Sequence, residues 1–341
     1  MRAGSSWACA WRGTVAEVAA PLLQFLDATG DAPQSAQAEL TTGLLLPQAA
    51  LSPKFLYDRL GSALFQAITE LDEYYPTRTE AAIFSQHGMA IAQEVHAALP
   101  AGVTLLDLGA GDGAKAARLF PLLEPAHYVA VDISVDYLRV ALAAMAQRHP
   151  ALRITGLGLD FAQQLQLPVG LVPGPALVFY PGSSIGNFGP EAALRFLRQA
   201  HGQSQGGALL IGADLVKPLA VLEAAYDDAL GLTAAFNLNL LRHVNRLLGS
   251  DFEERQWRHE ALFNATESRI EMHLRARHAV TVRWPGGERR FLAGEGIHTE
   301  SSYKWSAESF AALLQAAGWG GVRHWTDERG WFGVFTARAL S

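Results

Sequence analysis

The chain has 341 residues, half of them hydrophobic and 18% charged, with a formal net charge of −6. That is enough apolar material for one large domain or two small ones, and an acidic balance with no basic block or arginine–aromatic alternation argues against nucleic acid as a partner. A single cysteine, Cys9, excludes an internal disulfide and fits a reducing cytoplasm, and no apolar run is long enough to span a bilayer.

The first eleven residues have no apolar core and make a poor signal peptide; residues 1–14 are expected to be disordered. Val15 to Gly30 carry apolar residues at helical spacing and end at a glycine, which predicts a helix. Residues 30–39, small and polar, predict a loop. Asp58 to Leu71 reads as a helix with Leu60, Leu64, Phe65 and Ile68 on one face. Residues 72–80 cluster aromatic and charged residues around Pro76, the composition of a rigid surface loop able to hold binding groups. Within it Thr77 and Glu80 have the spacing of a capping box, and a helix from about Thr79 to Leu99 follows.

The next stretch, Leu105-Leu-Asp-Leu-Gly-Ala-Gly-Asp-Gly-Ala-Lys115, organises the rest. An apolar strand ending in an acid runs into alternating glycines and then a helical pattern. Glycine at such a turn permits φ > 0 and lets a ligand approach the backbone, and free N–H groups at the helix start favour an electron-rich ligand. About 20 residues on, a second strand, Tyr128 to Asp132, ends in the acid that binds ribose hydroxyls in nucleotide folds. The glycines can also be read as the dinucleotide pattern G-x-G-x-x-A. However, Asp107, facing the ligand's polar end, would repel a pyrophosphate and suits a cationic amino-acid group. The Asp-x-Gly-x-Gly-x-Gly run resembles the first motif of class I S-adenosylmethionine (SAM) methyltransferases. Tyr137 to Met145 is helical. A third strand, Leu152 to Asp160, is followed by Phe161. This acid and aromatic can hydrogen-bond and stack an adenine, or else form a helix N-cap beside a core phenylalanine. A fourth strand, Ala176 to Tyr180, exits into the glycine-rich Pro181-Gly-Ser-Ser-Ile-Gly-Asn187, and a fifth spans Ala208 to Val216. Open α/β sheets bind ligands at such carboxyl ends.

From Lys217 the βα rhythm breaks. Leu219 to Leu248 is helical, and Ala279 to Trp284 alternates as a strand before a Pro-Gly-Gly turn. The chain closes with a helix over Ala307 to Ala317 and strands over Gly321 to Thr326 and Trp331 to Thr336. The expected fold is α/β: a class I (Rossmann-like) SAM methyltransferase domain with an inserted α+β substrate-binding domain. The boundaries are 1–40 for an N-terminal extension and helix, 41–216 plus 304–341 for the methyltransferase domain, and 217–303 for the insertion. The eleven histidines are scattered, and no histidine or cysteine spacing matches a metal site.

Beyond the glycine motif, the chain after about residue 40 resembles the histidine N-alpha-methyltransferases of ergothioneine biosynthesis. The resemblance rests on 53–58 (PKFLYD), 73–78 (EYYPTR), 182–187 (GSSIGN), 225–228 (AYDD), 233–239 (TAAFNLN), 269–272 (RIEM) and 299–302 (TESS). It implies transfer of methyl groups from SAM to the alpha-amine of L-histidine, giving hercynine, by a cytoplasmic monomer without a metal. It further implies that Asn187 and Tyr226 hold the substrate carboxylate and orient the amine, with Glu300 and Ser302 on the imidazole. Tyr57 and Tyr74 would line the junction of SAM and substrate, Tyr57 and Asn187 acting at the reacting centre, with Phe236 and Met272 as apolar wall. Gly109, Gly111, Lys115, Asp132, Asp160 and Phe161, with Tyr57, would hold SAM. The sequence departs from the family at Asp107, where glutamate is usual, and around Ser301, Tyr303 and Trp305. Two alternatives stay open: a relative acting on another amino acid such as tryptophan, and a non-catalytic SAM-binding protein. No histidine is placed to serve as a base for the amine, whereas tyrosine and phenylalanine faces suit the quaternary ammonium product.

Overall fold

The computed structural model describes residues 22–28, 32–162 and 164–340; the expected disordered start, Cys9 included, lies outside them. The strands in chain order are β1 (Leu23–Asp27), β2 (Thr104–Leu108), β3 (His127–Asp132), β4 (Arg153–Gly158), β5 (Leu177–Tyr180), β6 (Ala208–Asp214), β7 (Trp257–Asn264), β8 (Arg269–Ala276), β9 (Val280–Trp284), β10 (Gly287–Phe291), β11 (Gly296–Tyr303), β12 (Trp319–Thr326) and β13 (Phe332–Ala339). The helices are α1 (Ala32–Leu45), α2 (Arg59–Ile68), α3 (Tyr75–Ala98), α4 (Ala114–Leu123), α5 (Val135–Arg148), α6 (Pro190–Gln203), α7 (Leu219–Tyr226), α8 (Leu232–Leu248) and α9 (Ala307–Ala316).

Eight strands form one sheet in the order β1-β4-β3-β2-β5-β6-β13-β12, parallel except for β13, which runs against both neighbours. Strands β2, β3, β5 and β6 are almost wholly buried, as a sheet covered on both faces requires. One apolar layer, with Leu106, Val129, Val178 and Ile211, packs under α6 and α9. The other, with Leu105, Tyr128, Phe179 and Leu210, packs under α3, α4 and α5. The strand order reverses between β2 and β5, so the crevice beyond their carboxyl ends is where a ligand is expected.

A second unit is built from the excursion after β6. It holds α7, α8, the sheet β11-β8-β7 and the hairpin β9-β10. Its apolar core also takes in Leu40, Leu44, Phe55, Leu56, Ile68, Tyr74 and Tyr75 from before the glycine motif. The excursion leaves and returns at one place: Trp305 N–H donates to Asp214 O and Val216 N–H to Trp305 O.

The structure corrects several expectations. Residues 23–27 form a strand, not the end of a helix, and pair in parallel with 154–158. A short apolar run is ambiguous between the two, and pairing decides it. Phe25 lies over Gly156, where a Cβ would come within 2.6 Å of its ring. From Ala32 on, the expected loop is the start of α1, whose Leu40 and Leu44 are fully buried against the second core, so tertiary burial outweighs a polar composition. On α2, Leu60 is exposed although its neighbours on the predicted face are covered. The expected surface loop at 72–80 is mostly the first turn and a half of α3, with Tyr74, Tyr75 and Pro76 buried and no capping box at Thr77. The long helix over 219–248 is broken at Asp228, whose carboxylate accepts from the N–H groups of Leu232 and Thr233 and starts α8 afresh. Strands β7, β8 and β11 were not anticipated as strands.

Candidate active site

The glycine turn sits at the end of β2. Gly109, Gly111 and Gly113 all have φ near +60°, so side chains there would be strained. A Cβ on Gly113 would also lie 2.5 Å from Met145 Cε. The Gly111 N–H donates to Asp132 Oδ2 at 2.9 Å, and Ser134 N–H donates to Oδ1 at 2.8 Å. Burial raises the Asp132 carboxyl despite these bonds. Phe161 closes over Gly109, whose Cβ would be 3.7 Å from its ring, and packs edge-on against Tyr180.

Asp107 lies below this turn, and Tyr128 donates to its Oδ2 at 2.7 Å. Its Oδ1 is buried without a partner. Burial pushes the carboxyl up to about 7, against the Tyr128 bond, with Asp132 and Asp112 adding to the rise. An orphaned acceptor in this position is what a cationic ligand group would satisfy. Lys115 Nζ reaches Glu80 Oε2 at 2.7 Å, beside the loop after β5, while Glu80 Oε1 accepts from Gly182 N–H at 2.7 Å. Glu80 therefore ties the glycine turn to the loop after β5. The sequence assigned it to a cap; only its near-complete burial identifies it.

Asp160, expected at the adenine, has one carboxylate oxygen taken by Lys54 at 2.6 Å, and the same ammonium holds Glu39. No helix starts at Asp160, so the N-cap alternative does not hold. Ser134 Oγ donates to Tyr57 O at 2.9 Å. These two ties bring the short 3₁₀ turn Pro53–Leu56 and Tyr57 down onto the ends of β3 and β4.

Aromatic residues converge here from the Pro53–Leu56 turn, α2, the start of α3, α7 and α8. Tyr57 packs edge-on against Phe65 and Phe236, and Tyr74 against Phe65 and Tyr226. Strand β11 runs beside them and carries Glu300 and Ser302 on one face, with Met272 directly across from Glu300. The Glu300 carboxylate is buried and has no hydrogen-bond or ion-pair partner among the described residues. Burial pushes it up to about 7 against the pull of Lys304. Burial and then Glu300 hold the Tyr57 phenol well above the tyrosine range. Asn187 ends a 3₁₀ turn (Ser184–Asn187) that packs on β11 through Gly186, where a Cβ would meet Tyr303 O at 3.1 Å.

A buried polar centre lies behind this wall. Tyr226 OH donates to Ser302 Oγ at 2.7 Å, and Lys304 Nζ donates to Ser302 Oγ at 2.7 Å, to Tyr226 OH at 3.2 Å and to Asp214 at 2.8 Å. Asp214 also receives Lys217 at 2.5 Å and Tyr75 OH at 2.6 Å. Burial alone would raise the Asp214 carboxyl, but Lys304 and Lys217 hold it below the usual range. Lys304 was missed in the sequence, although the two-residue period of a strand places 300, 302 and 304 on one face.

A parallel sheet with one reversed strand near its edge, a glycine turn after β2 and an acid ending β3 define a class I SAM-dependent methyltransferase fold. Within that class the chain belongs to the SAM-dependent histidine-specific methyltransferases, whose family model matches residues 36–339. It is similar to the histidine N-alpha-methyltransferase of Mycolicibacterium smegmatis, 40% identical over 319 residues that cover 91% of this chain and 97% of that one. The histidine N-alpha-methyltransferase of Mycobacterium tuberculosis is 38% identical over 307 residues, 88% and 93% of the two chains. The N-methyltransferase imqF of Aspergillus flavus is 30% identical over 319 residues, covering 89% and 85%. Among the described residues no helix is long and apolar enough to cross a membrane, and no cluster of histidine, cysteine or acids could hold a metal.

Proposed function

We propose that the protein transfers three methyl groups in succession from SAM to the α-amine of L-histidine, forming hercynine, as a cytoplasmic monomer. One observation carries this reading. A buried carboxylate without a partner among the described residues (Glu300) and a hydroxyl (Ser302) share one strand face beside a tyrosine cluster that Ser134 ties to the end of β3. Glu300 and Ser302 take the imidazole, an N–H acceptor beside a hydroxyl able to donate or accept. Asn187 and Tyr226 take the carboxylate and orient the amine; Tyr57 and Tyr74 line the point where the two ligands meet, and Phe236 and Met272 close the apolar wall.

SAM supplies a methyl group on a positively charged sulfur. Gly109, Gly111 and Asp132 hold its nucleoside side, Asp107 answers its cationic end, and Phe161 with Asp160 covers the base. Lys115 acts through Glu80 by fixing the turn. The chain's work is alignment of amine and methyl carbon, a contribution of about 7–11 kcal/mol in well-oriented reactions. Tyr57 is held protonated, so it orients the amine and does not deprotonate it. Its ring and that of Phe236 face the growing ammonium, whose charge aromatic faces favour.

Mass spectrometry of L-histidine incubated with the protein and SAM tests the reading. A gain of three methyl groups is expected; modification of tryptophan in place of histidine would overturn the substrate assignment. Asp132→Ala is expected to weaken SAM binding by calorimetry about 10–150-fold, the value of about 1.5–3 kcal/mol for a hydrogen bond to a charged group. Unchanged affinity would remove Asp132 from the SAM site.

A further inference from the structure

We infer that Lys304 is a positioning residue that joins Tyr226 and Ser302 into one unit, so that the carboxylate and the ring of the amino acid are read together and not separately. The inference rests on the proposed roles of Tyr226 and Ser302 at the two ends of the substrate. Lys304 is buried to 3% exposure. An ammonium has three N–H groups and accepts nothing. Its three donors meet three oxygens: Asp214 at 2.8 Å, Ser302 Oγ at 2.7 Å and Tyr226 OH at 3.2 Å. Each hydroxyl oxygen thus has one lone pair already occupied from behind.

The two hydroxyls also bond each other at 2.7 Å. Between them they own two hydrogens, and one is spent on that bond. A single hydrogen is left for the pocket, and where it sits decides what both groups can do. When Tyr226 donates to Ser302, Ser302 has both lone pairs filled and can only donate forward, and Tyr226 has no hydrogen for a carboxylate. When Ser302 donates to Tyr226, Tyr226 offers its hydrogen forward and Ser302 keeps one lone pair as an acceptor. A carboxylate at Tyr226 therefore reverses the bond and turns Ser302 into an acceptor for a ring N–H. An α-amino acid with an N–H-bearing ring satisfies both ends at once. One with a hydrocarbon ring leaves Ser302, or the carboxylate, without its partner, and such unpaired buried groups are what rejects an analogue.

Lys304 can hold this arrangement only because Asp214 fixes it. Lys217 is the natural comparison: it is bound to the same carboxylate and is equally buried, but it has no bond to either hydroxyl.

The experiment is a double-mutant cycle with Tyr226→Phe and Ser302→Ala, read as histidine Kd by calorimetry with SAM affinity as the control. Each single change is expected to weaken histidine about tenfold, the loss of one hydrogen bond to a charged or ring group. The double change is expected to weaken it by little more than either alone. Lys304→Met should raise the histidine KM by a similar factor with a smaller change in kcat and no change in SAM affinity; Lys217→Met should lower Tm and leave that KM in place. Single effects that multiply in the double variant would overturn the coupling while leaving the site assignment intact. Single changes without any effect on histidine would overturn the site assignment and the coupling with it. Should Lys304→Met fail to fold, Lys304→Gln, which cannot reach all three oxygens, is read in its place, and a histidine KM unchanged in the Lys304 variant overturns the positioning role.

Discussion

Glu300→Gln is expected to lower kcat/KM for L-histidine about 10–150-fold, because a charged acceptor of a buried N–H is worth about 1.5–3 kcal/mol, and to leave SAM affinity as it was. The same change is expected to stabilise the ligand-free protein in alkaline buffer. A carboxyl raised to about 7 by burial contributes its stability fully below its ordinary value near 4.5 and loses it as the pH rises through about 7. Well above that pH, keeping Glu300 ionised costs the empty fold roughly 3 kcal/mol. Thermal unfolding of the variant should therefore run about 3–5 °C above the parent at pH 8.5, with the gap closing towards pH 5. A variant that turns histidine over normally would take Glu300 out of the substrate site, and a Tm that tracks the parent at both pH values would show that its burial carries no ionisation cost.

Asp214→Asn is expected to be the most destabilising single change, by about 3–5 kcal/mol in urea unfolding, because it leaves buried ammonium groups without their counter-ion. Lys217 and Lys304 have fully buried side chains, and both close on Asp214. Burial, only partly offset by Asp214, already holds the Lys217 amine down at about 8. The Asp214 carboxyl is depressed, so its contribution is present above about pH 4 and fades as the pH falls through its folded value. Parent and variant should converge only in strong acid. A variant with unchanged urea midpoint and slope at pH 7 would show that the lysines are neutral in the fold.

The nucleotide half of the molecule was legible because its signals are local. The acid and glycines of 107–113 and the acid at 132 depend on turn geometry within a few residues, and they stand where the sequence placed them. The elements misread are those whose state is set by distant partners. Residues 23–27 are a strand because 154–158 lie alongside, and α1 is a helix because the second core covers Leu40 and Leu44. The residues from 57 to 302 named for the substrate came from resemblance, not from periodicity; in the structure Tyr57 meets Phe236, Tyr74 meets Tyr226, Tyr226 bonds Ser302, and Met272 pairs with Glu300. What sequence spacing could not show is the support behind them: Glu80, Lys54 and Lys304 each bond to groups tens to hundreds of residues away.

The hydrogen-bonded crossing at Asp214, Val216 and Trp305 has a consequence for how the protein can be re-engineered. Because the excursion departs from the end of β6 and comes home at Trp305, which bridges Leu215, its two ends lie side by side and it hangs from the large sheet as a cassette with both leads at one point. Exchanging residues 217–303 for a cassette that recognises a different amine would leave the donor half's sheet uncut. It would also strip the cover from Leu40, Leu44, Phe55 and Leu56, which are shared with the cassette's own interior. A working transplant must therefore carry residues 32–75 along as a second piece, so the transferable unit is discontinuous in sequence although contiguous in space.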